Sequence, residues 1–157
     1  MTTAGTAWLA AHAASPDAAR ARWADGKLAE IRTRSWSVAE TRYCTVDIVN
    51  AMLALGRAGR LGPVLGGERR AWWLLPPGQG AALDGLADVV VHPPGWALHC
   101  PPVGEALRGR GWLEVPDGSG RLTDPVALAA ALAPATTGNP PLGAARLSLA
   151  PREGMSA

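Results

Sequence analysis

Two adjacent arginines followed by two tryptophans, Arg69-Arg70-Ala71-Trp72-Trp73, form the segment best suited to chemistry in this chain. Guanidinium groups form charge-assisted hydrogen bonds with phosphate, and an indole ring can stack on a base. The segment therefore fits a site in which Arg69 and Arg70 contact phosphate beside an exposed tryptophan. Because side chains alternate across a strand, we expect one tryptophan to be buried and the other exposed. The simpler interpretation, a strand with its tryptophans in the core and its arginines on the rim, is favoured.

Two histidines and a cysteine form a second candidate set. His92 and His99 lie in adjacent predicted strands beside Cys100, and such side chains bind zinc when three or four of them converge. Their spacing is looser than that of a zinc site, and it fits strand ends beside proline-rich turns. Cys44 begins a predicted amphipathic helix, which favours a buried structural thiol over a nucleophile. We therefore predict no metal, no cofactor and no catalytic residue.

The carboxylates have the wrong spacing for two-metal chemistry. Two divalent ions need two or three acids a few Å apart, commonly as Asp-x-Asp along a strand. The chain contains no Asp-x-Asp, Asp-x-Glu or Glu-x-Glu, and its glycine-rich segments match no phosphate-binding fingerprint. Ordinary phosphoryl transfer is thus disfavoured, and enzymatic activity is left open with the balance against it. The candidate carboxylates are Asp47, Glu68, Asp84, Asp88, Glu105 and Glu114.

Composition sets limits on the class of protein. Of 157 residues, 48% are hydrophobic and 18% are charged, and the net charge is +2. These values exclude a long basic arm or an acidic tail, although a local basic patch is compatible with them. The first residues lack the basic start of a signal peptide, and the apolar runs are too short to cross a bilayer. We expect a cytoplasmic protein with free thiols and no membrane partner.

The pattern along the chain predicts an α+β domain. Ser15-Pro16-Asp17 and Thr123-Asp124-Pro125 are helix-start signals, and residues 43–57 carry a helical stripe of apolar side chains. Residues 28–38 predict one or two short strands, and residues 62–120 contain short apolar runs between glycines and prolines. We expect a mostly antiparallel, short-stranded sheet with flanking helices. The last helix should end near Ala133, which gives one domain over 1–133 and a flexible tail over 134–157.

The segments GPVLGGERRAWWLLPPG, GLADVVVHPPGWALHCPPV and GWLEVPDGSGRLTDPVALAAAL follow one another in this chain. Their order resembles the later part of the bifunctional DNA primase/polymerase N-terminal domain of actinobacteria, of the archaeo-eukaryotic primase type, over about residues 28–133. In this resemblance Gly66-Gly67 is the turn, Trp72-Trp73 the aromatic pair, Asp88 the strand acid and Pro101-Pro102 the closing pair. It implies a domain that acts on nucleic acid.

The chain departs from that family at the positions that matter for catalysis. The family binds metal through an Asp-x-Asp or Asp-x-Glu strand, whereas Asp47-Ile48-Val49 lacks the second acid and lies on a predicted helix. Arg70 stands where the family has a nucleotide-contacting histidine, and Asp88 alone is left of the acidic set. The resemblance thus implies a primase/polymerase-like domain without catalysis.

Two functions follow as predictions. In the first, the domain binds a nucleic acid, a nucleotide or a replication or regulatory partner, and the site residues are Arg69, Arg70, Trp72 and Asp88. In the second, the chain is a small cytoplasmic protein-interaction or regulatory protein with no role in nucleic-acid binding. An exposed tryptophan and leucine patch would favour the second function.

Overall fold

Local capping groups set where the helices begin. The computed structural model describes residues 3–137. Ser15 Oγ accepts a hydrogen bond from the Ala18 amide at 3.2 Å, and Asp124 Oδ1 accepts one from the Val126 amide at 2.9 Å. Both helix starts that the sequence predicts are therefore confirmed. The helices are α1 (Ala4–Ala11), α2 (Pro16–Ala24), α3 (Thr45–Arg57) and α4 (Pro125–Thr137).

Seven short strands form two antiparallel sheets within the described residues. The smaller sheet pairs β1 with β6, and the larger has the order β5-β2-β4-β3-β7. Every strand pair is antiparallel, which confirms the predicted α+β class and its antiparallel sheet. The strands are β1 (Ala29–Ile31), β2 (Ser37–Thr41), β3 (Val64–Gly67), β4 (Arg70–Leu75), β5 (Val89–His92), β6 (Leu98–Cys100) and β7 (Gly111–Glu114).

The five-stranded sheet is covered on both faces. One face packs against α1, α2 and the β1–β6 pair, and the other packs against α3 and α4. Trp72 and Trp73 point to opposite faces, as strand alternation requires. The prediction that one of them is exposed is wrong: Trp72 is 4% exposed and Trp73 is 0% exposed, because each face has its own covering layer.

The last helix is longer than the sequence predicted. It continues past Ala133 to Thr137, so residues 134–137 are helical and do not belong to a tail. The prediction treated Pro134 as a terminator, but a proline inside a helix removes one backbone hydrogen bond without having to end it. The rest of the predicted flexible tail, 138–157, lies outside the described residues.

None of the helices within residues 3–137 has the length and apolar character that a membrane-spanning helix needs.

Candidate functional site

Two hairpin turns at one end of the five-stranded sheet enclose a cleft of about 460 Å³. The first turn joins β3 to β4, and the second precedes β7. We call this space the arginine cleft, because four of its lining residues are arginines and one is a glutamate. The lining residues are Gly67, Glu68, Arg69, Arg70, Trp72, Arg108, Gly109 and Arg110.

Both turns hold an arginine in a left-handed backbone conformation. Arg69 has φ 56°, and Arg108 has φ 54° and is followed by Gly109 at φ 78°. Leu107 and Arg110 close the second turn with two backbone hydrogen bonds of 2.9 Å each. Two positive φ values in succession match the turn type that suits the twist of a hairpin. A non-glycine residue in this conformation costs about 1–2 kcal/mol. Local structure alone therefore does not favour arginine at these positions.

Arg70 and Arg110 form the fixed floor of the arginine cleft. Arg70 Nη1 donates to Glu40 Oε2 at 2.8 Å. The Arg110 guanidinium lies 4.2 Å from the centre of the Trp72 ring, and its Nη1 donates to the His99 carbonyl at 2.7 Å. Burial lowers the pKa of Arg110, with a further lowering from the charge of Arg70. These contacts hold both guanidinium groups in defined positions.

Arg69 and Arg108 form the rim of the arginine cleft and are free to bind a ligand. Both are exposed, and neither side chain forms a hydrogen bond or an ion pair with any residue in 3–137. Each therefore offers a complete guanidinium fork of the kind that binds phosphate in a bidentate manner.

Glu40 on β2 is the charged centre behind the cleft. It is 7% exposed, and its carboxylate contacts Arg70 and, through Oε1 at 2.9 Å, His92 Nε2. Arg42 Nε lies 4.0 Å from Oε2. Burial raises the pKa of Glu40, but the hydrogen bond and charge of His92, together with Arg70 and Trp72, outweigh burial and lower it. The carboxylate is thus ionised at neutral pH and holds Arg70 in place.

The structure brings three of the four predicted site residues together. Arg69, Arg70 and Trp72 line the arginine cleft, whereas Asp88 does not. Asp88 is exposed at φ 59°, and its carbonyl accepts a hydrogen bond from the Arg42 amide at 3.0 Å. Its charge acts on Tyr43, whose pKa rises to about 12 because of burial first and Asp88 second. Asp88 therefore lies at the same end of the sheet, beside Arg42, but outside the lining of the cleft.

Trp72 is not free to stack on a base. The Arg110 guanidinium lies over its ring, and a Cβ on Gly67 would lie 2.8 Å from its Cζ3 atom. The indole is therefore enclosed between an arginine and a glycine backbone. Its part in the cleft is to support Arg110, and the expectation of an exposed stacking tryptophan at this position is wrong.

Sequence reasoning missed three members of this site: Glu40, Arg108 and Arg110. Glu40 belongs to no acidic motif, and its partners Arg70 and His92 are 30 and 52 residues away in the chain. For Arg108 and Arg110 the local indication is Gly109, a turn residue with an arginine on each side.

The histidines and cysteines form no common site. His92 forms a hydrogen bond with Glu40, and its ring stacks on that of Trp96 with 3.7 Å between the ring centres. His99 is an exposed residue of β6. Cys100 is fully buried, and burial raises the pKa of its thiol. Among residues 3–137, no group of three or more His, Cys, Asp or Glu side chains is placed to hold a metal ion.

Both cysteines are free thiols, as the sequence predicted, but Cys44 is exposed rather than buried. It lies at the N-cap of α3, where its Sγ donates to Asp47 Oδ2 at 3.2 Å. The helix buries the face that carries Ile48 and Leu55, and Cys44 precedes that face.

A second concavity lies on the other face of the sheet. It is an apolar groove of about 530 Å³ between α3 and Leu113, bordered at one end by Arg57 and Glu114. Val49, Leu53 and Leu113 are exposed along it. The groove has exposed leucines but no tryptophan, so it matches the tryptophan and leucine patch considered from the sequence only in part.

Compared with protein-family models, with curated proteins and with solved structures, the chain has no significant match. The resemblance to the primase/polymerase domain therefore stays a prediction.

Proposed function

We propose that this protein binds the phosphate groups of a nucleic acid in the arginine cleft, without catalysing a reaction on it. The observation that supports this most is the convergence of four arginines from two neighbouring turns on one cleft. Two carboxylates lie near them, Glu68 in the lining and Glu40 behind Arg70, so positive charge is in excess. Clustered guanidinium groups are the usual partners of phosphate in nucleic-acid binding.

The contacts favour binding that is independent of base sequence. Trp72 is covered by Arg110, so the cleft has no open aromatic face for a base. Phosphate contacts position a nucleic acid but carry no sequence information. The family resemblance also implies a binding role, because the paired acids are missing. The proposal agrees with that role but does not depend on the resemblance.

Binding should weaken steeply with salt because phosphate contacts release counterions. Two contacts by the rim arginines give a slope of about −1.4 in log affinity against log salt for a single strand, and four contacts give about −2.8. Replacing one rim arginine should reduce the slope by about 0.7.

Fluorescence anisotropy with a labelled oligothymidylate, measured over a series of salt concentrations, tests the proposal. Arg69→Gln and Arg108→Gln should each weaken binding by about threefold to tenfold, equivalent to roughly 1 kcal/mol. Arg20→Gln is the matched control, because it removes the same charge from an exposed position on α2. Absence of binding at low salt would refute the proposal, as would equal losses in all three variants.

A duplex of the same sequence and a free nucleoside triphosphate serve as competitors. Displacement by the triphosphate alone would assign the cleft to nucleotides instead of nucleic acid. The alternative from the sequence, a protein-interaction role with no nucleic acid, stays a prediction, and the apolar groove beside α3 is the feature that bears on it. Size-exclusion chromatography and pull-down measure that alternative separately.

A further inference from the structure

The arginines of the cleft converge on one small space and do not form a stripe along the surface. Arg69 and Arg70 come from one turn, Arg108 and Arg110 come from the next, and all four line the same 460 Å³. A protein that follows a nucleic-acid backbone spreads its basic groups along a groove. Four arginines that line one cleft suit one compact anion better than a row of phosphates.

The number of donors exceeds what an internal phosphate can accept. A phosphodiester in a strand carries one negative charge and two oxygens outside the backbone linkage. Arg69 and Arg108 have complete guanidinium forks free, while Arg70 and Arg110 each have one Nη1 engaged and further N–H groups left. A phosphate monoester has three acceptor oxygens and a charge of about −1.5 to −2 at neutral pH. Its charge and acceptor count match the cleft more closely.

The floor of the cleft is set before the ligand arrives. Arg70 is held by the buried Glu40, and Arg110 is held by Trp72 and the His99 carbonyl. A fixed floor with two free arginines at the rim can close around a group that enters end-on. The turns themselves are exposed, which leaves the entrance open to a strand terminus.

We infer that the arginine cleft recognises the phosphorylated end of a nucleic-acid strand, a terminal phosphate monoester, in preference to internal phosphodiesters. This inference rests on the proposed binding of nucleic acid and specifies the group that is bound. Because no open aromatic face lies in the cleft, recognition depends on the terminal phosphate and not on the terminal base.

Anisotropy titrations with internally labelled oligonucleotides of one sequence test the inference. One strand has hydroxyl groups at both ends, one has a 5′-phosphate, and one has a 3′-phosphate. We expect one of the phosphorylated strands to bind about tenfold more tightly than the hydroxyl strand. The strand that gains identifies which end enters the cleft.

Variants connect the preference to the cleft. Arg69→Gln and Arg108→Gln should reduce the preference for the phosphorylated end to about threefold or less, whereas Arg20→Gln should keep it near tenfold. Pyrophosphate should displace the phosphorylated strand at a lower concentration than sulfate does, when both are compared at the same ionic strength.

The two proposals fail in different ways. Equal affinity for all three strands would overturn the terminal-phosphate inference and leave backbone binding standing. Absence of binding by every strand at low salt would overturn both. A preference that survives in Arg69→Gln and Arg108→Gln would place end recognition outside the arginine cleft and overturn the inference.

Discussion

Substitution of Glu40 by glutamine tests whether the charge behind the arginine cleft holds the fold together. Glutamine has nearly the same shape as glutamate but no charge. In the wild type, Arg70 Nη1 and His92 Nε2 lie 2.8 and 2.9 Å from the Glu40 carboxylate oxygens. In the variant, both groups face a neutral amide instead. Any loss of stability then reports the charge and its hydrogen bonds and not a change in packing.

The size of the effect follows from the exposure of the partners. A hydrogen bond to a charged group contributes about 1.5–3 kcal/mol when it is buried. The Arg70 side chain is 45% exposed, so water replaces much of its bond and its share falls to about 0.5–1 kcal/mol. The His92 side chain is 18% exposed and keeps more. We expect Glu40→Gln to lower the free energy of unfolding by about 2 kcal/mol, which lowers Tm by about 6–7 °C in a domain of this size.

The effect should depend on pH in a defined direction. The pKa of Glu40 in the folded protein lies below its ordinary value of 4.5, because His92, Arg70 and Trp72 together outweigh burial. A lowered folded pKa gives stability that is present above the ordinary value and is lost as the pH falls through the folded value. The difference between the wild type and Glu40→Gln should therefore be complete at neutral pH and shrink in acid.

Thermal unfolding followed by circular dichroism at neutral and acidic pH measures both effects. Glu30→Gln is the matched control, since Glu30 forms an exposed ion pair with Arg32 at 3.0 Å and its loss should cost under about 0.5 kcal/mol. Equal Tm shifts in the two variants would refute the reasoning, and so would a Glu40→Gln deficit that stays the same in acid.

Three further predictions concern the cleft and the thiols. Arg108→Gly removes the side chain from a position with a left-handed backbone. The free energy of unfolding in urea should therefore stay the same or rise by up to about 1 kcal/mol, while oligonucleotide binding weakens. A clear loss of stability would contradict this prediction. Gly67→Ala places a Cβ against Trp72 and should cost about 1–2 kcal/mol in the same assay, whereas a neutral result would mean that the ring moves aside. Titration with an aromatic disulfide should find one fast thiol, Cys44, and release Cys100 only on unfolding; two fast thiols would contradict its burial.

The parts of the fold that depend on neighbours in sequence were predictable. Ser15 and Asp124 cap helices through amides two or three residues away, so the segment alone specifies the contact. The end of α2 was equally local, because Gly26 adopts φ 71° just after the helix. The antiparallel sheet followed from short apolar runs between turn residues, which leave no room for crossover helices.

The burial of both tryptophans was not predictable from the strand pattern. Alternation places Trp72 and Trp73 on opposite faces, but the pattern does not say whether one layer or two cover the sheet. The second layer comes from α1, α2 and the β1–β6 pair. The two helices have little amphipathic pattern of their own, and each of the two strands is only three residues long. Exposure of a strand residue is a property of what packs on it, and that is decided by distant segments.

Glu40 shows the same limit for a functional residue. An acidic motif is defined by the spacing of neighbours in sequence, whereas the partners of Glu40 lie on other strands. On β2 it follows the core residues Val38 and Ala39, where a carboxylate is costly unless it is paired. The signal that could have identified Glu40 is a charged residue inside a run of core-forming residues. That signal predicts a cationic partner but does not indicate which cationic residue it is.

The low charge of the chain gives the cleft its significance. The 15 basic residues are nearly balanced by 13 acids over the whole sequence, so the protein as a whole has little attraction for a polyanion. Four of the arginines nevertheless meet in one cleft, and Arg69 and Arg108 do so in backbone conformations that disfavour a side chain. Among residues 3–137, neither side chain has an ion-pair partner that would offset this cost. The proposed phosphate ligand would supply negative charge to the arginines at the tips of both turns.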